Sequence, residues 1–146
     1  MDKQKLIRDC LEKERKELLE AIKKITSSRD ESPIPTESRS DTSRIQADKM
    51  LGELNLKLKE LERLLDDLPI KSQDNLMLID LWSYVEISNK NSEIKLILVA
   101  EGYGGREFKG VRLVSNLTPL GQSLLGKTYK DFIILNKNVF QINFVR

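Results

Sequence analysis

The fold of this chain is decided by a charged, leucine-rich stretch at residues 41–68, which reads DTSRIQADKMLGELNLKLKELERLLDDL. Its apolar residues recur at alternating spacings of four and three, a pattern typical of a helix that buries one stripe against a partner helix. Charged residues fill most other positions, as a solvated helix surface requires. The predicted seam consists of Ala47, Leu51, Leu54, Leu58, Leu61, Leu65 and Leu68.

Residues 1–27 carry a second seam of the same kind, interrupted by one polar residue. Between the two seams, residues 28–40 contain Pro33, Pro35 and several serines, which break the pattern. Two helices of about 25 residues joined by a short proline-bearing loop favour an antiparallel coiled-coil hairpin. We expect its tip loop at about residues 28–41, with Ser40 or Asp41 as the N-cap of the second helix and Pro69 as its end. The first seam consists of Ile7, Leu11, Glu14, Leu18, Ala21 and Ile25.

The composition changes after Pro69, where β-branched residues, glycines and all the aromatics occur. Short strands are predicted over residues 78–87, 93–100, 110–115, 131–135 and 139–145, with a turn at 136–138 and an exposed loop at 101–105. Thr118 as N-cap, Pro119 at the first helical position and Gly126 after the end predict one short helix. The fold class is therefore α+β, with a hairpin at 1–69 and a small antiparallel β domain at 70–146.

Composition excludes several kinds of site. The chain has 146 residues, 25 Lys and Arg against 23 Asp and Glu, no His and one Cys. Serine-histidine and cysteine-histidine catalysis and an internal disulfide are thereby excluded. A zinc site of the usual nitrogen and sulfur ligands has almost no ligands to draw on. A charge of +2 is too small to argue for nucleic-acid binding. Cys10 is interpreted as a small buried hydrophobe rather than a redox sensor. Without a membrane span or signal-peptide pattern, we expect a soluble cytoplasmic protein.

Residues 115–127, SNLTPLGQSLLGK, carry a family resemblance. They resemble the S-P-x-G-x-A-L-x-G-K signature of the C-terminal domain in bacterial Gre-type transcript cleavage factors, the GreA/GreB family. The stretch at 98–105 looks like a shorter branch of that family. Thr118 stands where the family usually has Ser, and Ser123 where it has Ala. The resemblance implies an FKBP-like C-terminal domain and signature residues with mainly structural roles: Thr118, Pro119, Gly121, Leu124, Gly126 and Lys127.

The resemblance also implies a function. Such factors dock their C-terminal domain on the rim of RNA polymerase's secondary channel, and the hairpin enters the channel. Acids at its tip help to hold a second Mg²⁺ in the polymerase's own active site, where backtracked RNA is cleaved and elongation restarts. The chain is then an accessory factor rather than an enzyme, a monomer with no tightly bound cofactor, no membrane contact and only indirect contact with nascent RNA.

The tip offers four acids against three arginines over residues 28–44. Glu37 and Asp41 are the first candidates for the metal-assisting acids, and Asp30 and Glu31 are weaker ones, although a polar loop of a highly charged chain would contain acids in any case. The family's pair is an Asp and a Glu three positions apart near the start of the second helix. Here the nearest pair is four apart, with Ser40 at the second position. A non-cleaving regulator of the same channel is therefore the alternative. A prolyl isomerase is disfavoured because few aromatics could line its pocket.

Overall fold

A computed structural model describes residues 2–31, 38–70 and 77–146, apart from the side chains of 29–31 and 38–42. The chain divides into two compact units, one of residues 11–67 and one of residues 1–10 with 68–146. The first ten residues thus belong to the same compact unit as the sheet. The predicted domain boundary between residues 69 and 70, which separates the hairpin from the β domain, stays a prediction. In the part of the chain just defined, no helix combines the length and apolar character needed to cross a membrane.

The unit of residues 11–67 is an antiparallel helical hairpin. Helix α1 (Lys3–Glu31) has 29 residues and α2 (Ser38–Asp67) has 30, so each is about 45 Å long at 1.5 Å per residue. Arg15 of α1 lies 3.5 Å from Glu62 of α2. Further along, Ile25 of α1 and Ala47 of α2 line one shallow groove. Because early α1 meets late α2 and late α1 meets early α2, the predicted hairpin is confirmed.

The predicted seams form the buried stripe of this hairpin. Leu11 and Leu61 are 0% and 2% exposed, and every other seam position within residues 11–67 is buried or half-buried. Apolar residues outside the seams behave differently, since Ile45 and Leu56 are 68% and 69% exposed. Leu64 is buried as well, which widens the stripe near the end of α2. The spacing of leucines therefore predicted correctly which side of each helix is covered.

The helix ends at the tip were placed wrongly from sequence. Helix α1 continues through Glu31, and α2 already begins at Ser38. The tip loop expected at 28–41 is shorter than predicted, and Ser40 and Asp41 lie in the first turn of α2 rather than at its N-cap. Serine and aspartate lower helix propensity only by tenths of a kcal/mol, so helix propagation from the packed seam continues through them. Pro33 and Pro35 lie outside the described residues. The other end of α2 is as predicted, just before Leu68 and Pro69.

The second unit contains one six-stranded sheet in the order β3-β4-β2-β1-β6-β5. Every neighbouring pair is antiparallel except β2 and β4, which are parallel, so the expected all-antiparallel sheet is corrected to a mixed one. The short strand β3, missed from sequence, carries the chain back so that β4 runs in the same direction as β2. The strands are β1 (Tyr84–Ser88), β2 (Glu93–Val99), β3 (Arg106–Phe108), β4 (Val111–Ser115), β5 (Phe132–Leu135) and β6 (Asn138–Val145).

Strands β2, β4, β5 and β6 agree with their predicted ranges to within a residue at each end. Strand β1 is shorter than the predicted 78–87, because the Ser83 N–H donates to the Asp80 carbonyl and Trp82 has a φ of 70°. These features make a turn where a strand was expected. Between β5 and β6, Asn136 and Lys137 both have positive φ, at 50° and 66°. Two such residues form the type I′ turn that matches the twist of a hairpin, which confirms the predicted turn.

One face of the sheet packs on a short helix, α3 (Pro119–Leu124). The Thr118 side chain caps it by accepting from the Gly121 N–H at 3.1 Å, and Gly126 follows its end with a φ of 79°. Leu124 is fully buried in the core on this face, and Leu120 and Leu125 pack against it. The predicted helix and its two ends are confirmed.

The opposite face of the sheet is covered over β2 and β4. Leu96 and Leu98 belong to the core on the α3 face, so the alternating residues Ile97 and Val99 point the other way. They are fully buried there, as Leu113 is on β4. Residues 1–10 belong to the same unit, with Ile7 0% and Cys10 7% exposed. The burial expected for Cys10 is thus confirmed.

Candidate functional site

The acids predicted at the hairpin tip lie at the ends of the two helices. Asp30 and Glu31 are the last residues of α1, and Asp41 is the fourth residue of α2. Because the helices are antiparallel, the backbone places these three residues at one end of the hairpin. Their side chains, and all of Glu37, lie outside the described residues. The roles given to these acids therefore stay predictions.

Helix electrostatics separates these acids into two groups. A helix carries partial positive charge at its N-terminus and partial negative charge at its C-terminus, so an acid is favourable in a first turn and unfavourable in a last turn. Asp41 lies in the first turn of α2 and therefore has a structural reason to be there. Asp30 and Glu31 lie in the last turn of α1, where helix stability gives no reason for a negative charge.

No group of three or more His, Cys, Asp or Glu side chains that could hold a metal ion occurs in the part of the chain whose side chains are described. The side chains of the tip acids lie outside that part of the chain. Carboxylate oxygens are nevertheless the ligands that Mg²⁺ prefers, and it often takes only one or two from a protein. The donor types at the tip, in Glu37 and Asp41, suit a metal ion held mainly by another macromolecule.

A groove of about 390 Å³ lies on the sheet unit where β3 and β4 meet the start of α3. Val114 and Leu120 supply its apolar side chains on the α3 face, and Arg112 lies on its polar rim. Sequence reasoning did not identify this groove, although its wall contains Thr118 and Leu120 of the family-like signature. The groove is lined by Gly105, Arg106, Glu107, Arg112, Leu113, Val114, Ser115, Thr118 and Leu120.

Two glycines allow the groove to close tightly around Ser115. A Cβ added at Gly121 would lie 2.2 Å from the Ser115 carbonyl oxygen and 2.9 Å from the Asn116 Cα. A Cβ added at Gly104 would lie 2.9 Å from the Ser115 Cβ. Both distances are below van der Waals contact, so a side chain at either position would displace α3 or the 101–105 loop from β4. The glycine of the signature is explained by this close approach.

The hydroxyls in the groove are occupied by structural hydrogen bonds. Thr118 Oγ1 donates to the Ser115 carbonyl at 2.7 Å while it accepts from the Gly121 N–H. Ser115 Oγ accepts from the Leu117 N–H at 3.2 Å. The three hydrogen bonds join Ser115, Leu117, Thr118 and Gly121, so both hydroxyls hold the turn that leads from β4 into α3.

Charged residues lie on the rim of the groove. Glu107 and Arg112 are directly opposite each other in the β3–β4 ladder and can offset each other. Arg106 lies opposite Leu113 in the same ladder, and its Nη1 donates to the Gly102 carbonyl at 2.6 Å. Because neighbouring residues of a strand point to opposite faces, Arg112 rather than Arg106 lies on the face that carries Val114.

The remaining residues of the signature hold the fold together. The Lys127 carbonyl accepts from the Ile79 N–H at 2.8 Å, and the Lys127 N–H donates to the Leu124 carbonyl at 3.0 Å. Pro119 occupies the first turn of α3, where the missing N–H costs nothing. These contacts explain the residue types in structural terms alone.

The aromatic residues near the start of β1 are packed. Tyr84 is 6% exposed, lies 5.9 Å from Phe144 in an edge-to-face pair, and donates its hydroxyl to Glu86 at 2.6 Å. Burial and this hydrogen bond raise the pKa of Tyr84. Trp82 packs edge-to-face on Tyr103 at 5.3 Å. The loop at 101–105 was predicted to be exposed, but it is partly buried, because its residue Tyr103 is only 4% exposed.

The chain is similar to several solved structures. No protein-family model and no curated protein matches the chain. The crystal structure of GreA factor homolog 1 (Gfh1) of Thermus thermophilus matches 95% of the chain and 94% of its own length, at 17% identity and a TM-score of 0.43. A structure described as the transcription factor Gfh1 is 18% identical. The match covers 97% of this chain and 94% of that one, with a TM-score of 0.43. The crystal structure of Thermus aquaticus Gfh1 is 20% identical. The match covers 100% of this chain and 96% of that one, with a TM-score of 0.42.

Proposed function

We propose that the protein is an accessory transcription factor that binds RNA polymerase at its secondary channel and promotes cleavage of backtracked RNA. The proposal follows the resemblance of residues 115–127 to the Gre-type signature. The observation that carries it is the antiparallel hairpin with Asp30, Glu31 and Asp41 together at one end. A paired-helix rod is stiff enough to present a few side chains inside a narrow cavity.

The hairpin would contribute only ligands and positioning. A divalent cation bound in the polymerase site would supply the activated water and the charge neutralisation for phosphodiester cleavage. Glu37 and Asp41 would offer carboxylate oxygens to complete that site, and Asp30 and Glu31 are the weaker candidates for the same role. The chain needs no nucleophile of its own for this role, which is consistent with its lack of histidine.

The groove beside α3 is our proposed docking site for the polymerase. Its apolar surface at Val114 and Leu120, with Arg112 beside it, would bind a protruding segment with an apolar residue next to an acid. Arg112 is exposed on β4, so its guanidinium could contact an acidic residue of the polymerase directly. Docking through this groove would fix the factor on the surface while the hairpin enters the channel.

A second candidate is a regulator that occupies the same channel without stimulating cleavage. The observation in its favour is the spacing of Glu37 and Asp41, which stand four residues apart with Ser40 at the place of the family's second acid. Asp41 is also explained by the helix N-terminus alone. The two candidates share polymerase binding and differ only in what the tip does.

The decisive experiment adds the protein to a purified elongation complex that has been backtracked by a defined distance. We expect release of a short 3′ RNA fragment that requires Mg²⁺. Asp41→Asn and Glu37→Gln should each slow this release by about tenfold or more, since a lost metal ligand cannot be replaced. Glu53→Gln is the matched control, because Glu53 is an exposed acid of α2 away from the tip.

Polymerase binding is measured separately with immobilised enzyme. We expect Arg112→Glu to weaken binding by about tenfold through charge reversal at the groove, and Lys90→Glu, an exposed reversal in the turn after β1, to leave it unchanged. Binding without fragment release, together with more stalling, would establish the regulator instead. Absence of binding by the unaltered chain would contradict both candidates.

A further inference from the structure

Strand β5 is an edge of the sheet and is apolar throughout. Its four residues, Phe132, Ile133, Ile134 and Leu135, pair only with β6 in the described part of the chain. Ile133 points into the core and is 4% exposed, whereas Phe132 and Ile134 are 61% and 71% exposed. Native edge strands are usually protected by a charge, a proline or a bulge. Strand β5 contains no charge and no proline, so an apolar edge is left open to pairing.

The hydrogen-bonding groups on this edge can be assigned from the turn. A two-residue type I′ turn makes its flanking residues, Leu135 and Asn138, a hydrogen-bonded pair. Leu135 and Ile133 therefore direct their backbone groups to β6. The backbone N–H and C=O of Phe132 and Ile134 point away from the sheet. The two residues with exposed side chains are thus the two whose backbone groups are directed outward.

The exposed side chains continue onto the neighbouring strand. Val139 is 54% exposed and lies directly opposite Ile134 in the β5–β6 ladder. Phe132, Ile134 and Val139 therefore form one apolar patch, which we name the β5 patch. It lies at the opposite edge of the sheet from β3 and from the groove beside α3.

We propose that β5 pairs with β5 of a second copy of this chain, antiparallel and about a two-fold axis at Ile133. This register places Phe132 opposite Ile134 of the second copy, and Ile134 opposite its Phe132. All four outward-pointing backbone groups of each copy are then paired. Any other two-fold register on this strand leaves one of the two residues beyond the end of the partner's strand. The occupant is a second copy because β5 is complementary to itself: each pair joins an aromatic to a β-branched residue, a favourable cross-strand combination.

The dimer joins the two β5 patches side by side and forms one continuous sheet. It differs from the monomer expected from sequence, which rested on the family resemblance. Because the groove beside α3 is at the other edge, dimerisation through β5 leaves that groove open. The inference is thus independent of the proposed function, and either can fail without the other.

The test is sedimentation equilibrium of the full chain over a wide concentration range. We expect a reversible dimer that Ile134→Lys weakens by about tenfold or more, because the edge then carries a charge and loses its cross-strand pair. Leu56→Lys is the matched control: Leu56 is 69% exposed on α2, and the same substitution there should not change the association. Circular dichroism checks that both variants stay folded. A chain that remains monomeric at every concentration, or equal weakening by both substitutions, would overturn the proposal.

A second measurement tests the register. Phe132→Cys and Ile134→Cys variants are prepared separately and oxidised either alone or as an equimolar mixture. We expect the mixture to form the disulfide-linked dimer faster than either variant alone, since only the mixed pair brings the two positions directly opposite. The unaltered chain, whose Cys10 is buried, serves as the blank. Equal rates in all three samples would contradict the two-fold axis at Ile133.

Discussion

The hairpin and the sheet unit are each stabilised internally in a different way. The hairpin buries one stripe, in which residues such as Leu61 lie between two helices with otherwise exposed surfaces. The sheet unit is buried on both faces of β2 and depends on contacts as close as that of Gly121 with Ser115. A stripe tolerates changes at most positions around it, whereas a close backbone contact tolerates none. Sequence at the hairpin tip is therefore free to change with function, and sequence around α3 is not.

Gly121→Ala should have the largest effect. The new Cβ would lie 2.2 Å from the Ser115 carbonyl oxygen, so α3 must move off β4. We expect a loss of roughly 3 kcal/mol or more in the free energy of unfolding, or failure of the sheet unit to fold. Urea unfolding followed by fluorescence of Trp82, the one tryptophan of the chain, measures it. A loss under about 1 kcal/mol would show that the contact is not fixed.

Leu61→Ala tests the stripe of the hairpin. Leu61 is 2% exposed, and its removal leaves a cavity between the helices that costs about 2–3 kcal/mol. Helix unfolding followed by circular dichroism at 222 nm gives the value. Leu56→Ala, on the exposed side of the same helix, should cost less than about 0.5 kcal/mol. Similar losses for both substitutions would mean that the stripe does not hold the hairpin.

Gln4→Met should stabilise the sheet unit. Gln4 is 5% exposed, and neither its Oε1 nor its Nε2 has a hydrogen-bond partner among the described residues. Because unpaired buried polar atoms are costly, an apolar side chain of similar shape should raise the free energy of unfolding by about 1–2 kcal/mol. Thermal unfolding measures the change. Gln46→Met, at an exposed position of α2, is the control and should be neutral; destabilisation by Gln4→Met would indicate that the amide has a bound partner.

Gly52→Ala should have the smallest effect and the opposite sign to Gly121→Ala. A Cβ at Gly52 meets no atom within 4 Å, and the residue lies within α2. Alanine in a helix interior is favoured over glycine by about 0.5–1 kcal/mol. Circular dichroism of the hairpin during urea unfolding measures the gain. A loss instead would place an unseen contact at this position and weaken the contrast between the two units.

The sequence was most informative where a local rule decides the structure. The leucine spacing predicted the buried stripe because burial follows helical periodicity. Thr118 and Gly126 predicted the ends of α3 because each satisfies a requirement of the backbone. The turn before β6 was found at Asn136 because that residue tolerates positive φ.

Prediction failed where distant contacts decide. Strand β3 has only three residues, and its pairing with β4 is what makes β4 parallel to β2. The helices extend to Glu31 and from Ser38 through residues that are poor helix formers, because propagation of an existing helix costs little per residue. The groove beside α3 could have been suspected from Gly104 and Gly121, but their common contact with Ser115 is visible only in three dimensions. The roles of the tip acids remain predictions because their side chains lie outside the described residues.

The position of β6 has a consequence for synthesis on the ribosome. This strand is the last in the chain, yet it lies between β1 and β5 in the sheet. The two helices can pair while the rest of the chain is still being translated, because all of their seam lies upstream. Strand β5 must wait in the exit tunnel or at its mouth until β6 emerges. Strand β5 therefore stays without its neighbour in the sheet after the seam of the hairpin is complete.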